Sequence, residues 1–172
     1  MTNRYSLADY IVTIKLPGAD SLPIDYQNLA NKEIKIGGPG ESAGGIGSFL
    51  GQISISRSND QWSTESDNTG SWVHNQNLSK VGTVELNIRQ VSDNVIRLIQ
   101  LCNIYNSTRV KGGLTITVTP AANDATTTYA ECVDCYPVKI PDQDFGATAA
   151  EQSWSFTCGM VNFPVTTNWD NI

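Results

Sequence analysis

The chain has 172 residues, of which 40% are hydrophobic and only 16% are charged, and its formal net charge is −6. This length suits a single domain, 1–172, with one apolar core. Nucleic-acid affinity comes mostly from Lys and Arg contacts to phosphate, so the acidic balance argues against a DNA- or RNA-binding protein. With so few charges, Ser, Thr, Asn and Gln must cover the surface, and these residues also tolerate burial against another polar protein surface.

The N-terminal segment shows no sign of a targeting sequence. Arg4, Asp9 and Lys15 interrupt each apolar stretch before it reaches the length of a signal-peptide core. No run of about 18 apolar residues occurs in the chain, so no membrane-spanning helix is expected. We therefore expect a protein that folds in the cytoplasm of the cell that makes it, without membrane insertion.

Apolar and polar residues alternate along most of the chain, in segments separated by Gly, Asn, Asp and Pro. This period of two is typical of β-strands with one buried face. The sequence therefore predicts a mainly β, antiparallel barrel or sandwich. The predicted strands, in chain order, are 10–16, 32–36, 48–58, 81–90, 113–119, 127–140 and 151–163.

The alternation is cleanest in 48–58 and 81–90, where apolar residues occupy one face and hydrophilic residues the other. We expect these two strands to pair into one sheet with a dry side and a wet side. The strand 151–163 repeats the pattern. The predicted core side chains of these strands are Ile53, Ile55, Val84, Leu86, Ile88, Trp154, Phe156 and Cys158.

One helix is predicted at 92–105, where Ser92 can cap the first turn and Asp93 favours the positive end of the helix dipole. Its apolar stripe is widened by further apolar residues until little of the helix surface stays polar. The sequence therefore predicts a helix that is buried on more than one side. Its predicted core residues are Leu98, Ile99 and Cys102.

Two connections are unusual. The stretch 37–47 contains six glycines, and the entropy that their backbone would lose predicts a mobile loop until a partner orders it. The stretch 59–80 is polar and longer than most connections in compact domains, yet it carries Trp62 and Trp72. Tryptophan supplies apolar area when it docks on a neighbour, so we expect 59–80 to be an interaction arm. The last residues, 164–172, form a C-terminal tail.

The four cysteines include Cys132 and Cys135, which have the spacing of a redox pair or of half a zinc site. Strict alternation would point these two sulfurs to opposite faces of a strand, and redox pairs gain a low thiol pKa at helix N-termini. A zinc site would also require Cys102 and Cys158 to converge, although both lie on apolar stripes. We therefore expect buried core thiols and no metal or cofactor, while the sequence leaves open a disulfide involving Cys135.

His74 is the only histidine, so we expect neither a histidine-based catalytic triad nor a multi-histidine metal site within one chain. No set of catalytic residues is predicted. The sequence therefore predicts a non-enzymatic protein.

Three runs, in this order, resemble tail tube proteins of contractile-tailed bacteriophages across roughly residues 47–163. They are GSFLGQISISRSNDQWSTESDNTGSWVHN, SKVGTVELNIRQVSDNVIRLIQLCNIY and VKIPDQDFGATAAEQSWSFTCGMVNF. The resemblance implies a β-barrel-like subunit with one flanking helix and sixfold rings that stack into a tube. It also implies a tail sheath protein outside the tube, tape-measure protein and later DNA inside it, and baseplate proteins at its end, all within the virion tail.

The resemblance further implies that the polar side of 48–58 and 81–90 lines the lumen, and that the arm 59–80 reaches the next ring. The implied lumen residues are Gln52, Ser54, Ser56, Ser58, Thr83, Glu85, Asn87 and Arg89. The implied inter-subunit contacts are Trp62, Trp72, Val73 and His74.

Two alternatives remain open at this point. A baseplate or tail-end adaptor with the same fold would form one ring instead of many. A soluble β-sandwich binding module, recognising carbohydrate through Trp62 and Trp72, would instead be a stable monomer.

Overall fold

The computed structural model describes residues 6–38, 50–90, 93–107, 110–120 and 128–165. These residues form nine strands and one α-helix, with short 3₁₀ turns at Leu7–Asp9, Ala19–Ser21 and Ile24–Leu29. The elements are β1 (Tyr10–Lys15), β2 (Glu33–Gly37), β3 (Leu50–Arg57), β4 (Trp62–Ser66), β5 (Trp72–Gln76), β6 (Gly82–Arg89), α1 (Asp93–Ser107), β7 (Leu114–Pro120), β8 (Ala130–Pro137) and β9 (Glu151–Asn162). The mainly β prediction with one flanking helix is confirmed.

Seven of the strands form one antiparallel sheet in the order β2-β1-β7-β8-β9-β6-β3, and β4 and β5 form a separate pair. The predicted pairing of the two alternating strands is confirmed, because β3 and β6 are neighbours. The sheet does not close into a barrel, since β2 and β3 remain its two edges. Both halves of the sheet nevertheless contribute to one apolar cluster, so the sheet folds over on itself like a sandwich.

The core consists of the inward side chains of these strands together with one side of α1. The predicted core residues Val84, Leu86, Ile88, Leu98, Cys102, Trp154, Phe156 and Cys158 are all buried in it. Ile53, Ile55 and Ile99 are only half-buried and pack against the edge of the cluster. The two isoleucines of β3 are less buried than the inward residues of β6, because β3 is an edge strand and has a sheet neighbour on one side only.

The helix α1 is less buried than its sequence predicts. Val95, Leu98 and Leu101 face the core, and α1 packs against β2 and β8. Ile96, however, is 68% exposed, and Arg97, like other polar residues on that side, is exposed as well. The prediction of a helix buried on more than one side is therefore wrong for the single chain, because the sheet covers only one side of α1.

Several predicted features lie outside the described residues. They are the Ser92 cap, most of the glycine-rich loop (39–47) and most of the C-terminal tail (166–172). Within the described ranges, no helix is long and apolar enough to cross a membrane.

Candidate assembly surfaces

A three-strand polar face is formed by the outward side chains of β3, β6 and β9. The antiparallel register aligns them in rows across the sheet, because residues that are opposite each other share a face. The rows are Gln52–Asn87–Ser153, Ser54–Glu85–Ser155 and Ser56–Thr83–Thr157. Most of these side chains are exposed, with Asn87 and Ser155 half-buried. The face is thus hydroxyl- and amide-rich, with the Glu85 carboxylate in its middle row.

Hydrogen bonds between neighbouring strands order part of this polar face. The Asn87 side-chain amide donates to Gln52 Oε1 at 3.2 Å, and the Ser56 and Thr83 hydroxyls lie 3.2 Å apart. Gly82 begins β6 where a side chain could not fit, since a Cβ there would meet the Ser56 carbonyl oxygen and the Val161 side chain. The close approach of β6 to β3 therefore requires glycine at this position.

The remaining residues implied as lumen-lining lie at the margins of the polar face. Arg89 is exposed at the end of β6, opposite Glu151 of β9. Ser58 is exposed just beyond β3, and its backbone N–H donates to the Val81 carbonyl at 2.9 Å. The contribution of β9 was missing from the sequence-derived set, although the alternation of Ser153, Ser155 and Thr157 with buried neighbours could have supplied it.

The arm is a β-hairpin. β4 and β5 pair in an antiparallel register, with Trp62 opposite Gln76, Thr64 opposite His74 and Ser66 opposite Trp72. Every residue of both strands is exposed, so the hairpin projects away from the core. The sequence predicted an arm but not its strands, because this stretch lacks the apolar side that marks a strand packed on a core.

The register places Trp62 and Trp72 on one face of the hairpin, which we call the aromatic face. Trp62 is 59% and Trp72 67% exposed. His74 lies between them on the same face, with its Nδ1 2.8 Å from the Thr64 hydroxyl. Val73 is 58% exposed and points to the opposite face. The four residues implied as inter-subunit contacts are thus all on the arm but not all on one surface.

The tip of the arm is held by Asp67. Its Oδ1 accepts from the Thr69 hydroxyl at 2.6 Å, from the Thr69 N–H at 2.8 Å and from the Ser71 N–H at 3.0 Å. Gly70 adopts a φ of 87°, which a side chain would disfavour. The hydrogen bonds from Thr69, first that of its hydroxyl, hold the pKa of Asp67 below its ordinary value of 3.8. An ionised Asp67 therefore orders the turn.

The cysteines correct one sequence-based expectation. Cys132 and Cys135 do not point to opposite faces, since both are fully buried. The cause is a β-bulge: the β7–β8 register shifts by one residue, and Asp134 has a φ of 57°. The extra residue turns both thiols inward, and the Cys135 thiol donates to Cys158 Sγ at 2.9 Å.

These thiols are poorly suited to chemistry. The hydrogen bond with Cys132 lowers the pKa of Cys158, but the bond with Cys135 and burial outweigh it and raise that pKa to about 12. Burial raises the pKa of Cys102 to about 11. Thiolates are the reactive and metal-binding form, so these groups are inert at neutral pH. In the described part of the chain, no group of three or more His, Cys, Asp or Glu side chains could hold a metal ion.

The described residues thus present a polar face and an exposed aromatic hairpin, and their buried thiols are unreactive. The family model of the bacteriophage PhiTE tail tube protein matches residues 25–165. The chain belongs to this tail tube protein family. It is accordingly a structural protein of the phage tail and not an enzyme, as the sequence predicted.

Two solved structures share the fold of this tail tube family member. One is the sheath/tube terminator of the extracellular contractile injection system PVC in its extended state, with a TM-score of 0.55 and 15% identity. That match covers 95% of this chain and 99% of the other. The second comes from the PVC sheath-tube complex in the extended state, with a TM-score of 0.50, 14% identity and coverage of 92% and 90%. No curated protein sequence matches the chain significantly.

Proposed function

We propose that this chain self-assembles into hexameric rings, and that these rings stack into the tail tube through which DNA is ejected. The observation that carries the proposal is the polar face of β3, β6 and β9 on a chain that belongs to a tail tube family. In this assignment the polar face is the wall of the bore. Gln52, Ser54, Ser56, Thr83, Glu85 and Asn87 line it, with Ser58 and Arg89 at its margins.

The chemistry of the polar face suits a conduit for DNA. A bore that passes a polyanion should not bind it, and duplex binding requires clustered Lys and Arg. The three rows of the polar face supply hydroxyl and amide groups that hold water, and the Glu85 carboxylate in the middle row repels phosphate. The bore is therefore hydrated and only weakly attractive to DNA.

The open sheet supports ring formation. An edge strand presents unpaired backbone groups that can pair with another chain. β3 is an eight-residue edge strand and forms one border of the polar face. Pairing of the β3 edge with a neighbouring subunit would continue the wall around the ring. A closed ring removes the edges that would be a liability in a monomer.

The arm provides contacts between rings in this proposal. It projects from the end of the β3–β6 pair, and Trp62, Trp72, Val73 and His74 supply exposed surface for a neighbouring subunit. Exposed tryptophans are favoured anchors of protein interfaces because they bury a large apolar area.

The remaining partners follow from a tube at the centre of a contractile tail. A sheath protein surrounds the tube, tape-measure protein fills the bore before DNA does, and baseplate proteins bind its end. A fold shared with a chain from a sheath-tube complex supports the sheath assignment. Assembly takes place in the host cytoplasm, and the product resides in the virion tail.

Negative-stain electron microscopy of the purified full-length chain tests the proposal. We expect hollow tubes with a regular axial repeat, and sixfold symmetry in end-on views. A chain that stays monomeric and binds a carbohydrate saturably would contradict the proposal and favour the β-sandwich binding module.

A tube terminator or adaptor is the second candidate function, because one of the structures that shares the fold is a sheath/tube terminator. A terminator would form a single ring per tail. The copy number of the chain in purified virions distinguishes the two functions, since a tube protein is present in many rings.

A further inference from the structure

An apolar groove of about 580 Å³ runs between β3 on one side and residues of β1, β7 and β8 on the other. Ile53 and Ile55 form the wall on β3, while Tyr10, Val118 and Tyr129 form the other wall. Tyr10 and Tyr129 contact each other there, with ring centroids 5.5 Å apart. The groove lies beside β3, which is an edge strand of the open sheet and has a strand partner on one side only in the described residues.

The arm of the same chain has side chains of matching chemistry. The aromatic face of the arm presents Trp62 and Trp72 on a hairpin whose tip is ordered by Asp67. Each tryptophan can bury about 150–250 Å². Because Trp62 is 59% and Trp72 67% exposed, the two still have about 190–320 Å² to bury, which is between a quarter and two-fifths of the roughly 800 Å² that each partner buries in a stable interface.

The charges of arm and groove are complementary. Residues 58–79 contain the carboxylates Asp60, Glu65 and Asp67 but no lysine or arginine. At the groove, the Arg57 guanidinium lies over the ring of Phe163, which is one of the lining residues, at 5.4 Å from its centroid. An acidic arm that enters the groove would therefore meet a cation at its rim.

The arm does not fill the groove of its own chain, because every residue of β4 and β5 is exposed. The arm and the groove are different surfaces of one molecule. A contact between different surfaces of identical chains is not closed by a twofold axis, and it repeats to give rings or open stacks.

We propose that the aromatic face of the arm docks into the apolar groove of a second copy of this chain. This inference rests on the proposed tube function and assigns the receptor for the arm. Trp62 and Trp72 enter the groove between β3 and Tyr129, and Arg57 lies at the rim that the net acidic arm approaches.

Two classes of full-length variant test the docking. The arm variant Trp62→Ala/Trp72→Ala keeps the groove, and the groove variant Tyr129→Glu keeps the arm. Tyr129 is 41% exposed, so the carboxylate can be accommodated without unfolding, and Phe163→Glu at 48% exposure is a second groove variant. Asn75→Ala on the opposite face of the arm, and Ile24→Glu at an 86% exposed position outside both surfaces, are the matched controls.

Each variant is first checked for folding by circular dichroism, and its critical concentration for tube formation is then measured by sedimentation. We expect the arm variant and both groove variants to raise that concentration by at least about tenfold, as loss of an interface anchor does. We expect Asn75→Ala and Ile24→Glu to leave it within about twofold.

Mixing the variants gives the decisive readout. At a concentration above the wild-type critical value but below that of either variant, neither class elongates alone. The intact arms of the Tyr129→Glu chain can nevertheless dock into the intact grooves of the arm variant. Growth must then stop, because the remaining ends carry only damaged surfaces. We expect the mixture to sediment as a species of twice the mass of a single ring, and electron microscopy to show paired rings without tubes.

Three results would overturn the docking while leaving the tube function intact. They are normal tubes from the arm variant, normal tubes from both groove variants, or a mixture without paired rings. The last result would mean that the groove holds another occupant, such as residues 166–172 of its own chain. A wild-type chain that never assembles would instead contradict the proposed function itself.

Discussion

Replacing Leu86 with alanine tests whether β6 has one dry and one wet side. Leu86 is fully buried, and its cross-strand neighbours are Ile53 on β3 and Trp154 on β9. Truncating such a buried side chain to alanine destabilises a protein by about 2–5 kcal/mol, depending on how far the surrounding residues can move in to fill the cavity. The large, fully packed Trp154 limits collapse, so we expect a loss of about 3–4 kcal/mol. In a domain of this length that lowers Tm by about 6–16 °C.

The matched control is Glu85→Ala, one residue away on the exposed polar face. We expect it to change the free energy of unfolding by less than about 0.5 kcal/mol. Urea denaturation followed by circular dichroism measures both variants, at a concentration below assembly because association would add its own stabilisation. A Glu85→Ala loss equal to that of Leu86→Ala, or a Leu86→Ala loss under about 1 kcal/mol, would refute the two-sided arrangement.

Three further predictions concern the bore, the thiols and the arm. Introducing Ser54→Lys and Ser56→Lys together should leave tubes of normal length but slow DNA delivery, because cations in the bore attract phosphate; unchanged infectivity with normal tubes would count against the lumen assignment. Cys102 and Cys158 are buried and their pKa values are raised to about 11 and 12, so both thiols should resist alkylation by iodoacetamide at pH 8 until urea is added. Mass spectrometry measures the labelling, and alkylation of either thiol in the native chain would contradict the prediction. Because the pKa of Asp67 is lowered in the folded arm, its stabilisation of the tip should be complete above pH 3.8 and should be lost as pH falls through the lowered value, which NMR of the Thr69 and Ser71 amides would follow; amides that stay ordered below that pH would contradict it.

Most of the fold could be predicted from hydrophobic alternation. The strands β3, β6 and β9 could be predicted because one side of each packs on a continuous core, so that burial alternates from one residue to the next. The same pattern predicts the polar face, since the residues that alternate with Leu86 and Phe156 along their own strands must point outward. Closure of the sheet could not be predicted, because alternation describes each strand and carries no information on whether the outermost strands pair.

The two local failures have a common physical origin. At Cys132 and Cys135, a single extra residue at Asp134 changes which side chains point inward, and the sequence has no glycine there to mark the bulge. In the arm, pairing of β4 with β5 depends on backbone hydrogen bonds and on the turn at Asp67 and Gly70, not on burial. Predictions based on burial fail where the backbone geometry is set by something else.

The arm and the groove can be explained together by the cost of ordering an exposed hairpin. A two-stranded hairpin alone is marginal in water, and here β4 and β5 have no core to pack on. The hydrogen bonds to Asp67 fix the turn in the free subunit, which lowers the entropy that must be lost when Trp62 and Trp72 become buried. The polar residues of the arm keep it hydrated until it docks. The subunit therefore keeps its apolar anchors exposed on a pre-ordered support, where another copy can use them.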